Sequence, residues 1–94
     1  MDPAGREDTL RAALDAEAAL LVEVVLERWL PATDPMGEPL LLPRGDDADP
    51  VRLDDIDWAD VRRRFHDRHG RPPRSGAREL ARRALAQRAR RPTR

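Results

Sequence analysis

Apolar residues between positions 9 and 30 recur at helical spacing. Leu10, Leu14, Leu21 and Val25 form one stripe, extended by Ala18 and Trp29. Leu20 and Val24 sit on a second face, and Val22 and Leu26 on a third flank. Through residues 18–26 only Glu23 is polar, and a helix apolar nearly all round must be covered on several sides. The pattern predicts a long helix over 9–30, capped by Asp8 or Thr9, with residues 1–8 as a flexible N-terminus. Pro31 ends it by pushing Leu30 out of the helical region. A strand through Leu20–Leu26 is the competing reading, but the density of Ala and the lack of turn signals favour a helix.

Residues 31–57 read as an irregular, Pro-rich connector. Asp34-Pro35-Met36-Gly37 is a turn signal. Leu40-Leu41-Leu42, between Pro39 and Pro43, is expected as a short edge strand or an extended strap. Val51-Arg52-Leu53 would pair with it as a two-stranded hairpin. Asp57 then caps a helix over 58–69, with Trp58, Val61 and Phe65 on one face. Gly70 and Pro72-Pro73 stop it. A third helix over 76–88 carries the shallow stripe Ala77, Leu80, Ala81, Ala84 and Leu85, and 89–94 should fray as a flexible basic tail. The fold class expected is mainly α: one small domain over 1–94, with three helices and the connector. Trp58, Val61, Phe65, Leu80 and Leu85 should pack on the first helix.

Composition narrows the function. Of 94 residues, 39% are hydrophobic, and 14 of those positions are Ala, which leaves a thin core. Dimerisation or docking on a partner would compensate, and Leu20, Val24 and Leu26 are the residues expected to be covered by a homodimer or hetero-complex. With no Cys, the chain has no disulfide and no thiolate metal site. No run reaches the ~18 apolar residues a membrane span needs. The acidic start Met1-Asp2-Pro3-Ala4-Gly5-Arg6-Glu7-Asp8 is unlike a signal peptide, so a cytoplasmic protein is expected.

Charge position says more than charge sum. All 18 basic residues are Arg, balanced by 18 acids. Residues 1–60 hold 5 Arg and 16 Asp or Glu, whereas 61–94 hold 13 Arg and 2 acids. A basic half of this kind attracts either a polyanion or the acidic half of the same or another chain. Arg71, Arg74, Arg78, Arg82, Arg83 and Arg90 are the candidate nucleic-acid contacts, made to phosphates because no aromatic beyond Phe65 offers base stacking.

Other constellations fall short of chemistry. His66 and His69 lack the third and fourth ligands that zinc takes. The aspartates between 46 and 57 do not have EF-hand spacing and serve loop solvation and capping. Ser75 is the only Ser and neighbours no acid–base pair, and no Gly-rich phosphate loop is present. A non-enzyme without cofactor, metal or small-molecule substrate is expected.

The run Phe65-His66-Asp67-Arg68-His69-Gly70-Arg71-Pro72-Pro73-Arg74-Ser75-Gly76-Ala77-Arg78-Glu79-Leu80-Ala81 resembles the helix-one to helix-two junction of LexA-type helix-turn-helix domains, over residues 58–81. There a helix ends in His-Gly, passes through Pro-Pro and restarts at a Ser-x-x-Glu capping box. Here Ser75 and Glu79 are four apart, and Ala86–Pro92 has neither the tight turn nor the apolar stripe of a recognition helix. The resemblance implies DNA contact through phosphates with little sequence readout. Two functions follow: a small regulatory or accessory protein on nucleic acid, or a protein-interaction adaptor such as an antitoxin-like neutraliser, assembly factor or docking subunit.

Overall fold

A computed structural model describes residues 3–45 and 49–90. The order is α1 (Pro3–Leu26), β1 (Trp29–Thr33), β2 (Pro39–Pro43), β3 (Val51–Arg52), a 3-10 turn (Leu53–Asp55), α2 (Trp58–His69) and α3 (Ala77–Arg90). The three strands form one antiparallel sheet in the order β1-β2-β3. The protein is thus mainly α with a small sheet.

The first helix departs from expectation at both ends. It already includes residues 3–8, where a flexible N-terminus is predicted. Nothing after Pro3 breaks a helix strongly, and Pro is tolerated in a first turn. At the other end it stops at Leu26 and not at Leu30. Glu27 N donates to Glu23 O and Arg28 N to Val25 O, and the chain then turns extended. Pro31 disfavours a helical Leu30, and the freed Trp29 and Leu30 gain a ladder with β2. Trp29 faces Pro43, Leu30 faces Leu42 and Pro31 faces Leu41. Pro31 is admissible because β1 is an edge strand.

The hairpin turn uses the Asp34–Gly37 signal. Asp34 Oδ1 accepts from Met36 N at 2.9 Å and Glu38 N at 2.8 Å, and Gly37 takes φ 86°. Leu40–Leu42 is therefore a central strand, with the predicted β3 partner on its other side: Leu40 faces Arg52 and Leu41 faces Val51. Arg44 closes the unit by donating from Nε to Leu26 O at 2.6 Å, which satisfies a carbonyl at the end of α1.

Helix α2 follows its sequence signals at both ends. The Asp57 carboxylate accepts from Asp60 N at 3.1 Å, and Gly70 adopts φ 75° while its N–H returns to His66 O. Helix α3 begins at Ala77 and runs to Arg90, so 89–90 belong to it; the rest of the expected basic tail, 91–94, lies outside the described residues.

Helices α2 and α3 and the sheet converge on residues 17–25 of α1. Leu21, Val24, Val25, Leu41, Val61, Phe65 and Leu85 are the largest sealed side chains. Ala77 and Ala81 are fully buried, which lets α3 approach α1 closely. Val24 was expected on a partner surface, and this is corrected: it is fully buried within its own chain. Leu20 and Leu26 are half-buried against the same core. The reason is that α1 packs against both α3 and α2, with β1 adding a smaller contact. No described helix is long and apolar enough to cross a membrane.

Phe65 stands at the middle of this arrangement with no exposed surface. Phe65→Ala is expected to lower unfolding free energy by about 3–5 kcal/mol, transfer and cavity terms together. Urea denaturation followed by circular dichroism checks it.

Candidate interaction surfaces

The six nominated arginines divide by partner. Arg71 donates from Nη1 to Glu17 Oε1 at 2.5 Å, and Arg74 Nε lies 3.5 Å from Glu17 Oε2. Arg82 bridges two acids, Asp54 and Glu79, each at 3.1 Å, and Arg83 Nε stands 3.4 Å from Glu79. Arg78 and Arg90 pair with no carboxylate among the described residues. Outside that set, Arg63 and Arg64 hold Asp60, and Arg68 holds Glu27. Much of the basic half is therefore neutralised by its own chain. Arg91 and Arg94 lie outside the described residues.

Glu17 is the site residue that the sequence pattern passed over. It falls on the α1 stripe, three residues after Leu14 and four before Leu21, at what should be a core position. An acid at an apolar register was the available signal. Its residue is 3% exposed, and its carboxylate also accepts from Arg74 N at 2.9 Å. An ionised carboxylate at that depth is tolerable only with such donors. The Arg71 guanidinium also stands 5.8 Å from the Phe65 ring. The link from Gly70 to Ser75 is thereby tied to α1.

Two surfaces are left open. On the sheet, residues paired across strands share a face. Leu30 and Leu42 are exposed on the side opposite the buried Leu41, and the half-buried Ala32–Leu40 pair lies beside them on the same face. Leu30 keeps 42% of its surface exposed and Leu42 36%. Met36, at the hairpin tip, is 86% exposed.

The second surface is a groove of about 480 Å³ between α2 and the start of α3. Trp58, Val61 and Pro73 give it an apolar floor, and Arg62, Arg74 and Arg78 rim it. No carboxylate lines it among the described residues. The Arg78 guanidinium stands 5.2 Å from the Trp58 ring centroid, and Trp58 Nε1 is buried without a hydrogen-bond partner. A larger cleft of about 660 Å³, between the sheet and α3, mixes Arg52, Arg82 and Arg83 with Glu38, Asp54 and Asp55. Arg82 and Asp54 pair within it, and Arg90 also lines it. His69, the other residue considered for chemistry, packs its ring 4.6 Å from that of Phe65.

No family model, curated protein or solved structure matches the chain.

The Glu17 contacts set a first expectation. Glu17→Ala leaves the Arg74 N–H and two guanidinium groups without their acceptor. The arginine side chains are about half exposed and regain water. The loss should therefore be about 1–3 kcal/mol, below that of a fully sealed pair. Glu17→Gln keeps an acceptor and should lose less. Chemical denaturation of both variants tests the order.

The exposed pairs set a second. The Arg82 hydrogen bond, outweighing burial, and the charges of Arg82 and Arg83 hold the Glu79 carboxyl below its usual range. Burial pushes Asp60 up, but the charges and hydrogen bonds of Arg64 and Arg63 together outweigh it and hold this carboxyl low as well. A depressed folded pKa gives stability that is full above the unfolded value, about 4, and lost as pH falls through the folded value. The melting temperature should thus fall with acidification below about pH 4, and Glu79→Gln should remove part of that fall. Thermal melts across pH check it.

Proposed function

We propose that this chain is a non-enzymatic protein-interaction adaptor that docks through the outer face of its sheet. The observation that carries the reading is the Leu30–Leu42 pair, directly opposed across β1 and β2 and still 42% and 36% exposed. Adjacent exposed aliphatics are a docking signal when they form one patch. This moves the expected partner surface from Leu20, Val24 and Leu26 to the sheet. The engagement of four of the six nominated arginines by internal carboxylates supports the same reading.

The nucleic-acid reading keeps one observation in its favour: Arg62, Arg78, Arg88 and Arg90 pair with no acid among the described residues. Three of these lie on α3 at separations of ten and twelve residues. At 3.6 residues per turn, Arg88 and Arg90 then point about 80° and 120° away from Arg78, on opposite sides. Phosphates along one duplex groove are poorly matched by such scatter.

Crosslinking separates the two readings. With a photoactivatable residue at position 42, a defined protein adduct should form in the source cells. It should be lost when Leu30→Asp is added and stay unaffected by Arg88→Ala/Arg90→Ala. A mobility-shift titration at low salt should show no tight complex with unrelated duplexes. Salt-sensitive duplex binding lost in the arginine double variant, with no adduct at position 42, would overturn the adaptor in favour of nucleic acid.

A further inference from the structure

We infer that the groove between α2 and α3 is a receptor for an acidic peptide segment of a partner protein, one whose carboxylates flank an apolar side chain. The inference rests on the interaction reading but not on the sheet face, and it names the chemistry of a second contact.

The rim comes from three elements: Arg62 on α2, Arg74 in the connecting loop and Arg78 on α3. Elsewhere the chain matches its arginines with its own acids, using Glu17, Glu27, Asp54, Asp60 and Glu79. None of those acids lines this groove. Of the rim, Arg74 is held by Glu17, whereas Arg62 and Arg78 pair with no acid among the described residues, and guanidinium forks suit carboxylates in particular.

The start of α3 adds to it. Ala77 N donates to Arg74 O and Leu80 N to Gly76 O. The N–H groups of Arg78 and Glu79, between them, find no acceptor among the described residues. Orphan donors at a helix start favour negative charge. The independent mark of a ligand is Trp58. The residue is 92% removed from solvent, being 8% exposed, it lines the groove, and its indole N–H lacks any acceptor. Buried donors are nearly always satisfied, so this orphan beside the groove is a donor that the fold itself does not answer.

The floor decides which anion. The apolar surface open below the arginines is mainly that of Pro73 and Ala59, since Trp58 and Val61 are buried. A phosphodiester backbone has nothing apolar to place there, and Trp58 is too buried, with Arg78 over its ring, to stack a base. Inorganic anions would use the rim and leave the floor wet. A Phe or Leu beside Asp or Glu uses both.

The test uses the unaltered full chain and a blocked hexapeptide, Glu-Asp-Phe-Glu-Asp-Leu, in calorimetric titration. Saturable binding is expected. It should weaken about tenfold or more in Arg62→Ala/Arg78→Ala, the scale of losing charge-assisted hydrogen bonds. Arg88→Ala, outside the groove, should bind like the parent, and the Gln/Asn version of the peptide should not bind. In a Trp29→Phe background the Trp58 emission should shift with the same midpoint. Absence of saturable binding at millimolar peptide overturns the proposal, as does binding indifferent to the double variant. Inorganic phosphate binding as tightly as the peptide would make this a small-anion site only. Tighter, Arg62- and Arg78-dependent binding of a 12-base-pair duplex would reassign the groove to nucleic acid. A dimer in light scattering that the double variant dissolves would make the occupant a second copy. Each of these leaves the position-42 crosslink intact as the separate measure of the adaptor reading.

Discussion

The carboxylate of Glu17 is the constraint on which the arrangement of the helices depends. It sits in the packed middle of the molecule, on a helix otherwise dressed for apolar contact, and takes its donors from the link between α2 and α3. A charge there is costly unless the Arg71 and Arg74 groups arrive, and they arrive only if the Gly70–Ser75 link crosses α1 at that point. Apolar surfaces slide over one another with little preference. A carboxylate with a fixed backbone donor does not, so Glu17 selects one register among several that the aliphatic stripe would allow. Arg71 adds to this by standing over the Phe65 ring, which links the ionic anchor to the centre of the core.

The same contact explains how a chain with halves of opposite charge is built. The acidic half supplies α1 and the sheet, and the basic half supplies α2 and α3. Folding brings the halves together, and pairs such as Arg68 with Glu27 and Arg82 with Asp54 join them at several points. Each exposed pair contributes little alone. Together they decide which arginines remain available. The all-Arg composition, which by itself says mostly something about codon usage, is put to use in the structure. Arg82 reaches Asp54 and Glu79 at once, and Arg71 combines an ion pair with a ring contact. A Lys ammonium is a point charge and serves neither role as well.

Much of the fold was legible wherever local chemistry decides structure. Asp57 and Gly70 bound α2, and Asp34–Gly37 makes its turn, because capping and turn geometry act over a few residues. The pairing of Leu40–Leu41 with Val51–Arg52 was also readable. What escaped was decided by tertiary contact. Trp29 continues the α1 stripe in sequence, yet the ladder to β2 outweighs that periodicity once Pro31 has weakened the helix. Val24 lies off the main α1 stripe and is sealed only when α2, α3 and β1 close round the helix. Glu17 was overlooked since a single acid in a helical stripe looks like noise until its donors, more than fifty residues away, are in place. The groove was invisible for a related reason. The sequence displays a basic segment, but only the fold separates arginines that are answered from those that are not.

That separation bears on how such a small protein is able to recognise anything. With a core built from one helix wrapped by three neighbours and many Ala contacts, the two clefts described above are open to the surface, and recognition at either is written there. A surface site gains specificity when its charges are not shared with the protein's own counter-ions, since a ligand then does not have to displace an existing pair. The cleft between the sheet and α3 fails this condition, because Arg82 there is already held by Asp54 and Glu79. The groove at the start of α3 meets it through Arg62 and Arg78, while its Arg74 is shared with Glu17. Arg78 leans on an indole and on no acid, so its donors stay charged and oriented. Internal pairing thus does two things at once: it stabilises the acidic and basic halves against each other, and it leaves Arg62 and Arg78 beside the α2–α3 junction without an acid among the described residues.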